Sequence, residues 1–518
     1  MPLLTHKPKA HRKPKKKRAH PPKPLGGKRR RGRKRPHAPR GVHMSPIKVP
    51  PPGRPPTPPP DPTADGGPPI YGHDLGNAQL KRLLFRAGFG PRQGDVDALA
   101  GKPLADVVYS LTRPQGSANL VGPEPTDADG NPLAPYDSWG DDHLWWLDRM
   151  VRSDQQLVER MTLIWHDWFA TSNDGVGSQK LMLDQNDTFR SGALGSFKDL
   201  LTQVTKDPAM LVWLNGVDNR KRAVNENYAR EVMELFTLGA DRGAYTETDV
   251  RQLALALTGW RADWVEGTGW TNFRYDDTRH DHSTKTVFGK SGDFDWQAAV
   301  QLVLENPFHA SFFVTKLWSY FIPTPPDAAT QAALQKVYLD SGYGIRPVVE
   351  AILMHPDLHG GAAMVKPPVV YAAGILRSQG RTVATGGWTW LCANAGQQLF
   401  YPPNVSGWDD SAWLDTSTWK GRFDIAVYGT SVYGNWGGTV NPWKDPYSKT
   451  EDPETAVARA VDFMGNPVLS DDTHTALLDF ARTCLPATMA SWEQAPYRAM
   501  RQNALRQLIA TAPDYQTS

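Results

Sequence analysis

Residues 225–239 read NENYAREVMELFTLG, and this stretch shows most clearly the pattern that decides the fold. Tyr228, Val232 and Leu235 recur every three or four residues, a spacing that places them on one face of an α-helix. An asparagine that suits the N-cap opens the stretch, and a glycine that suits the position after the last helical turn closes it. We therefore predict a helix that packs one apolar face into a protein core.

Apolar residues return at the same helical spacing through most of the chain after residue 70. Further stretches of this kind are residues 144–151, 157–169, 197–204, 250–257, 298–304, 312–321, 329–338, 348–353, 456–463, 475–481 and 500–509. No alternating strand pattern of comparable strength accompanies them. We predict a mainly α fold, a single large multi-helix domain with long loops, preceded by a disordered tail.

The first 70 residues differ in composition from the rest of the chain. They contain 20 of the 45 prolines, and the first 60 residues carry 19 lysines and arginines without one acidic residue. Such a segment buries too little apolar surface to offset the entropy of ordering, which predicts a disordered basic/Pro-rich tail over residues 1–70. The body after it holds 39 basic and 52 acidic residues. We predict a main helical domain at 71–430 and a C-terminal helical extension at 431–518 packed on it.

The basic tail indicates a class of partner. Clustered lysines and arginines bind phosphate backbones without sequence preference, so we predict nonspecific polyanion contact through residues 1–60. The alternative is a solvated tail with no dedicated partner. Translation from Met44 would remove 17 of the 19 basic residues and most of this predicted contact.

The expected location follows from features that the sequence lacks, and the small number of cysteines limits their possible roles. No run of about 18 apolar residues is present, which predicts no transmembrane segment. The N-terminal charges precede no apolar stretch, so we predict no secretory signal and expect the protein in the cytoplasm. Two cysteines, Cys392 and Cys484, exclude a disulfide framework and a cysteine-rich metal site.

Three segments place polar side chains where packed helices prefer apolar ones. In the first, Glu159 and His166 stand seven residues apart and therefore share a helix face. A carboxylate and an imidazole in this arrangement can share a metal ion or a proton. The alternative is a partly buried hydrogen-bonded pair.

The second segment is the helix predicted at residues 225–239. Glu231 and Glu234 have the three-residue spacing of carboxylate pairs that bind metals in helical bundles, although no Glu-x-x-His motif accompanies them. Ordinary helix salt bridges from Arg230 to Glu226 or Glu234 explain the same residues.

The third segment, residues 279–289, is predicted to form a loop or a short hairpin. His280 and His282 flank Asp281 and can ligate a metal ion, while Lys285 can hold an anion. The alternative is a polar surface loop without a ligand.

The tryptophan content is high, with 19 residues, and most of these indoles are expected in the core. Five lie in glycine-rich loops: Trp260, Trp264, Trp270, Trp408 and Trp436. If such indoles are exposed beside acidic residues, they can form a cleft that stacks on sugars. This interpretation makes a carbohydrate-binding protein one alternative.

Motifs of several common enzyme classes are absent. The sequence has no Gly-x-x-x-x-Gly-Lys-Ser/Thr and no Gly-x-Gly-x-x-Gly after a strand pattern, which disfavours common NTPases and dehydrogenases. It also lacks Gly-x-Ser-x-Gly and His-Glu-x-x-His, which disfavours the usual serine hydrolases and zincins.

Segments along the chain resemble a bacterial family catalogued as domain of unknown function 1800. The matching segments are residues 85–90, 159–161, 165–170, 207–210, 225–239, 246–260, 280–289, 341–346, 365–368 and 402–408. The resemblance implies a helical protein without an established reaction. Genes of this family often neighbour those of uncharacterised family 1501, which resembles sulfatase-type hydrolases, so the resemblance implies a sulfatase-like partner.

The chain departs from the family pattern in two respects. Family members often look exported, whereas this chain has no obvious signal peptide. Export is therefore an alternative location that the resemblance implies. Trp168 stands where many members carry a second histidine, so a metal site that uses both positions is not expected here.

We predict that the polar segments line one pocket that binds a divalent metal or an anionic ligand, with hydrolysis as the reaction class. The candidate catalytic residues are His166, Arg230, Glu231 and Glu234. The candidate ligand-binding residues are Asn225, Glu226, Asn227, Lys285 and Asn404. The candidate metal ligands are Glu159, His166, Glu231 and His280. The alternatives are a non-catalytic scaffold or assembly protein that acts with a partner, and the carbohydrate binder.

Overall fold

The structure of the chain is a computed structural model that describes residues 67–127, 129–383, 386–430 and 451–518. Helices dominate these residues and strands are few, so the predicted mainly α fold is confirmed. Most of the predicted tail, residues 1–66, lies outside the described residues, and so does the loop tryptophan Trp436.

The helices of the first half of the chain mostly carry one apolar face each. They are α1 (Asn77–Arg86), α2 (Asp95–Leu99), α3 (Leu104–Thr112), α4 (Asp141–Arg152), α5 (Gln156–Trp168), α6 (Asn173–Val176), α7 (Gln179–Ser191), α8 (Phe197–Thr205), α9 (Pro208–Trp213), α10 (Asn227–Glu231) and α11 (Glu247–Ala256).

The second half begins with two hairpins and continues with helices. The strands are β1 (Trp260–Val265), β2 (Gly269–Tyr275), β3 (Lys285–Val287) and β4 (Lys290–Gly292), paired antiparallel as β1–β2 and β3–β4. The helices are α12 (Trp296–Leu304), α13 (His309–Ser319), α14 (Ala328–Asp340), α15 (Ile345–Met354), α16 (Pro356–Gly360), α17 (Pro368–Ser378), α18 (Gly387–Asn394), α19 (Thr416–Thr430), α20 (Pro453–Phe463), α21 (Asp471–Thr483), α22 (Gln494–Thr511) and α23 (Pro513–Gln516).

The helix predicted at residues 225–239 is present, but half of it is wound differently. After α10 the chain continues as a π-helical segment, Val232–Thr237. The segment ends at Gly239, whose φ of +88° is a conformation that glycine adopts without strain. A side chain there would also approach Arg242 and Phe312, at 2.7 and 2.9 Å from its Cβ. Single π turns inside helices are frequent at functional sites, so this irregular winding keeps the segment a candidate.

Helix α5 lies between two groups of buried apolar side chains. Leu157 and Trp165 belong to the first group and Leu163 to the second, so the helix is packed on more than one face. Eleven of its thirteen residues are buried, including charged ones. Because buried polar groups need partners inside the protein, α5 determines which side chains its neighbours must supply.

The residues after the gap at 431–450 are helical and make contacts with the preceding ones. Helix α22 packs on α20 and α21 and also on α19. Near its end the chain forms an isolated bridge between Val365 and Thr517. None of the described helices combines the length and the apolar character needed to cross a membrane.

The start of α11 provides a test of local helix stabilisation. The Thr246 side chain accepts a hydrogen bond from the Asp249 backbone, and the Asp249 carboxylate accepts one from the Thr246 backbone. Thr246→Ala removes half of this capping box and should lower the free energy of unfolding by about 1 kcal/mol. Urea denaturation measures the change. Thr475→Ala, at an exposed position of α21, is the control and should change stability by less than about 0.5 kcal/mol.

Candidate functional site

The β3–β4 hairpin brings two separate parts of the chain together. Its two-residue turn uses Phe288 and Gly289, whose φ angles of +50° and +77° suit the tight turn of a hairpin. The register pairs Lys285 with Gly292. Residues just before β3 therefore face residues just after β4, and the hairpin predicted as one possibility for this segment is present.

Three potential metal ligands meet beside this hairpin. One ligand atom from each of His280, His282 and Asp293 lies within 4.8 Å of the other two. Among the described residues, this is the one group of three or more histidine, cysteine or acidic side chains with that property. His280 is buried, whereas His282 and Asp293 are about half exposed, so the group opens to solvent on one side.

The hydrogen bonds of His280 fix which ring nitrogen is free. Nδ1 lies 2.9 Å from the backbone oxygen of Thr258, to which it donates, so Nε2 of the neutral ring carries the lone pair. The Thr258 hydroxyl accepts from the backbone N–H of Asp281, 2.9 Å away, and donates to the Leu255 carbonyl at 2.7 Å. Metal-bound histidines usually have their second nitrogen held by a backbone carbonyl or carboxylate, as here.

Charges around the group favour an ionised Asp293. Lys285 is buried and its Nζ lies 2.7 Å from Oδ1 of Asp293. This hydrogen bond, aided by His282, lowers the pKa of the Asp293 carboxyl. His282 lies between Asp293 and Asp277, at 3.2 and 3.3 Å, and the hydrogen bond to Asp293 raises the pKa of its imidazole. Lys285, which was predicted to hold an anion, therefore pairs with the Asp293 carboxylate of the protein itself. The Asp281 carboxylate accepts a hydrogen bond from the backbone N–H of Ser283.

Glu159 and His166 share a helix face as predicted, but the structure gives them different surroundings. The Glu159 carboxylate is buried and accepts from Arg149 at 3.0 Å and from Arg190 at 2.8 and 3.0 Å. Both ring nitrogens of His166 are buried without a hydrogen-bond partner among the described residues. The expected Glu159–His166 hydrogen bond is therefore absent from this part of the chain, and that alternative is wrong.

Aromatic rings surround His166. Four of them have centroids 5.4 to 6.0 Å from the imidazole: Trp146, Phe189, Phe400 and Trp408. Burial in this apolar setting lowers the pKa of His166 to about 3, because no group compensates the charged form. The imidazole is therefore neutral at ordinary pH.

The α10 segment contains both paired and unpaired charges. Arg230 makes two hydrogen bonds to Glu247, at 2.8 and 2.9 Å, and a longer contact with Glu226 at 3.4 Å. Burial, with the nearby Glu234 charge, raises the pKa of Glu231 to about 7. A carboxyl with this pKa can exchange protons at neutral pH, so Glu231 stays a candidate acid or base.

The predicted asparagines make short-range contacts. Asn225 accepts from the backbone of Asn227 at 3.0 Å, and the Asn227 side chain donates to Asn215 at 2.9 Å. The Asn404 side chain accepts from the backbone of Ser406 at 2.8 Å. These bonds shape the loops that hold them, and the amides' role in ligand binding stays a prediction.

The loop that contains Asn404 packs against Asp167, a residue that the sequence did not single out. Asp167 accepts from the Trp408 backbone at 2.8 Å and from the Tyr320 hydroxyl at 2.7 Å. At Gly407, with φ of +95°, a Cβ would lie 2.3 Å from an Asp167 oxygen. Burial raises the pKa of Asp167, and the positive charge of Lys316 partly opposes this effect. An acidic residue inside an otherwise buried helix was the signal in the sequence.

The predicted single ligand shell is not formed among the described residues. Glu159 lies with two arginines, His166 lies among aromatic rings, Glu231 lies on α10, and His280 lies at the hairpin. The hairpin group retains His280 and Lys285 from the prediction and adds Asp293. Its second imidazole, His282, belongs to the segment that the sequence had indicated.

The loop tryptophans divide between core and surface. Trp260 and Trp408 are buried. Trp264 is 64% exposed and packs edge-on against Trp270, with centroids 5.3 Å apart, on the β1–β2 hairpin. Of the predicted set, the described part of the chain therefore exposes one indole, Trp264, beside the half-buried Trp270.

The Glu159 ion pairs generate a stability prediction. Glu159→Gln removes a buried charge that two arginines share and should lower the free energy of unfolding by about 3 kcal/mol. Asp184→Asn is the control, because the exposed Lys180–Asp184 pair on α7 should contribute less than about 0.5 kcal/mol. Equal effects in guanidinium denaturation would contradict the assigned importance of the Glu159 pairs.

The unpartnered His166 generates a pH prediction. Its pKa is lowered on folding, so the unfolded chain binds the extra proton first and stability falls as the pH drops below about 6.5. The His166→Leu variant has no imidazole at this position, so its stability should not fall for this reason as the pH drops. Between pH 7 and pH 5 the parent protein should lose about 2 kcal/mol more than the variant, measured by urea denaturation at each pH. An identical pH dependence would show that the imidazole has a proton partner.

The comparisons with known proteins add one finding. The family described as "Protein of unknown function (DUF1800)" matches residues 82–517. No curated protein and no solved structure matches the chain. The matched range includes α5, the α10 segment and the hairpin group, and it covers most of the chain. The chain therefore belongs to the DUF1800 family of proteins of unknown function.

Proposed function

We propose that the protein binds a divalent metal ion of the zinc class at the hairpin, through His280, His282 and Asp293. The observation that carries the proposal is the orientation of His280. Its Nδ1–H is used by the Thr258 carbonyl, which leaves Nε2 as the ring nitrogen that can ligate a metal ion in the group with His282 and Asp293. In a surface loop that binds no ligand, the orientation of a buried imidazole by such a hydrogen bond would have no functional purpose.

The chemistry of the three side chains fits this class of metal. Two imidazoles and one carboxylate are a common ligand set for zinc and for non-haem iron. Lys285 occupies Oδ1 of Asp293, while Oδ2 lies 3.2 Å from Nδ1 of His282, a contact that a bound metal ion would replace. Three protein ligands on a site open to solvent leave a coordination position for water.

A hydrolytic role follows from this open position as part of the same proposal. A bound zinc ion lowers the pKa of its water ligand and so supplies hydroxide at neutral pH. The protein's contribution is to present the two imidazoles and the carboxylate on a rigid hairpin and to keep Asp293 ionised. The acidic residues of the α10 segment are proposed as a separate proton-exchanging group, since Glu231 has a pKa near 7.

Zinc binding is the direct test of the proposal. In isothermal titration calorimetry, the metal-free full-length protein should bind one zinc ion at the hairpin, and His282→Ala should weaken this binding at least tenfold. His474→Ala is the matched control, because His474 is another exposed histidine, on α21, and should leave affinity unchanged.

The pH dependence gives a second readout of the same site. The metal must displace the proton that His282 holds more tightly than usual, so affinity should fall as the pH decreases through the raised pKa. Binding at pH 5 should be at least tenfold weaker than at pH 7.5. No binding at either pH, or equal loss in both histidine variants, would reject the proposal.

A scaffold or assembly role is the second candidate, and one observation favours it. Buried charges such as Glu159 and Asp167 already have partners within the chain, as expected for residues that hold a framework together. On this alternative the basic residues 1–60 contact polyanions and a sulfatase-like protein of family 1501 is the partner. The composition of the tail supports the proposed polyanion contact. Family association alone supports the proposed sulfatase-like partner.

A further inference from the structure

A cavity lies away from the hairpin residues, where helix α1 meets residues 514–518. It has a volume of about 330 Å³ and is lined by residues of α1, by Lys366 and by residues 464–468 and 514–518. Two of the segments that resemble the family, residues 85–90 and 365–368, contribute Phe85 and Lys366 to its lining. None of the hairpin ligands lines this cavity.

Lys366 supplies a buried ammonium group to the cavity wall. Its Nζ donates to the backbone oxygen of Tyr515 at 2.7 Å. It also lies over the rings of Phe85 and Tyr515, 3.8 and 4.5 Å from their centroids. Among the described residues, no carboxylate lies within ion-pair distance of Lys366. Its contacts there are thus one backbone oxygen and two aromatic faces, none of which carries a negative charge.

The neighbouring cations also lack acidic partners. Arg82 donates to three backbone oxygens, those of His359, Gly361 and Ala362. Arg422 donates to the backbone oxygens of Trp413 and Lys366 and to the Gln516 side chain. Because uncharged acceptors do not cancel the charge, the described surroundings of Lys366 are strongly positive.

One acidic side chain is present among the described residues that line the cavity, and it is already used. Asp514 accepts from the backbone N–H and the hydroxyl of Ser470, at 3.0 and 2.9 Å. The apolar part of the wall includes Phe85, Met464 and Val468. The cavity thus combines positively charged side chains with apolar ones.

We propose that this cavity binds a small carboxylate with an apolar tail, whose oxygens accept hydrogen bonds from Lys366. The carboxylate supplies the missing negative charge, and Phe85, Met464 and Val468 contact the tail. The volume lies at the lower end of the range for small-molecule sites, which suits a chain of several carbon atoms. The site is independent of the metal proposal.

Proton binding to Lys366 should be linked to ligand binding. Burial and, to a smaller extent, the Arg422 charge lower the pKa of Lys366 to about 7. A bound carboxylate stabilises the charged ammonium, so it raises this pKa. Affinity should therefore fall as the pH rises above about 7, because a proton must be taken up with the ligand.

The other groups that face Lys366 do not share this titration range. They are Lys81, Arg82 and Arg86 on α1, His359 on α16, Tyr371 on α17, Arg422 on α19 and Asp514 and Tyr515 on α23. Burial lowers the pKa of His359 below its usual value and raises those of Tyr371 and Tyr515 to well above 10. The Arg86 guanidinium binds the backbone oxygen and hydroxyl of Ser518.

Calorimetric titration of the full-length protein with octanoate tests the proposal, with octanamide as the uncharged analogue of the same shape. Octanoate should bind one to one, about tenfold more tightly at pH 6 than at pH 8, and octanamide should bind at least tenfold more weakly. Lys366→Met keeps the side-chain volume and should weaken octanoate binding at least tenfold. Lys316→Met removes a half-buried lysine on α13 that does not line this cavity and should leave binding unchanged.

A second variant keeps the test valid if Lys366→Met does not fold. Val468 is about half exposed at the cavity, so Val468→Glu should fold and place a competing negative charge there. It should weaken octanoate binding by a larger factor than octanamide binding, because both lose a tail contact but only octanoate is repelled by the new charge. No octanoate binding, equal affinity for the two compounds, or affinity independent of pH would each overturn the proposal.

Discussion

The burial of helix α5 between two groups of apolar side chains is the constraint on which the rest of the structure depends. With eleven of thirteen residues buried, this helix cannot leave its charges to solvent. The buried Glu159 therefore requires Arg149 and Arg190, and the half-buried Asp167 accepts hydrogen bonds from Tyr320 and the backbone of residue 408. These bonds tie α5 to α4, α7, the end of α13 and the loop at 402–408. Through these two carboxylates, α5 connects elements from several parts of the chain.

The periodicity of the sequence was sufficient to predict the helices, because 3.6-residue spacing is a local property that the chain expresses wherever one face packs. It was not sufficient to predict the partners of buried polar residues. The partners of Glu159 come from ten residues before it and thirty-one after it, and the rings around His166 come from as far away as Trp408. A shared helix face indicates that two side chains are neighbours, but not which distant residue lies opposite each of them.

The hairpin shows the reverse case, in which local sequence carried most of the information. His280, His282 and Lys285 lie within six residues, and a short hairpin was one of the two forms predicted for them. Asp293 could have been found from the same pattern, since a two-residue turn at Phe288 and Gly289 brings the residue after the second strand beside the residues before the first. The role of Thr258 depends on the packing of α11 against β3 and has no local signal.

Buried polar residues that stabilise the fold are separate in this protein from the half-exposed group at the hairpin, for which we propose a ligand. Anomalous diffraction at the zinc absorption edge, from crystals grown with zinc, tests this separation directly. We expect one strong anomalous peak within bonding distance of His280 Nε2, His282 and Asp293. A peak beside His166 or between Glu231 and Glu234, with none at the hairpin, would contradict the account.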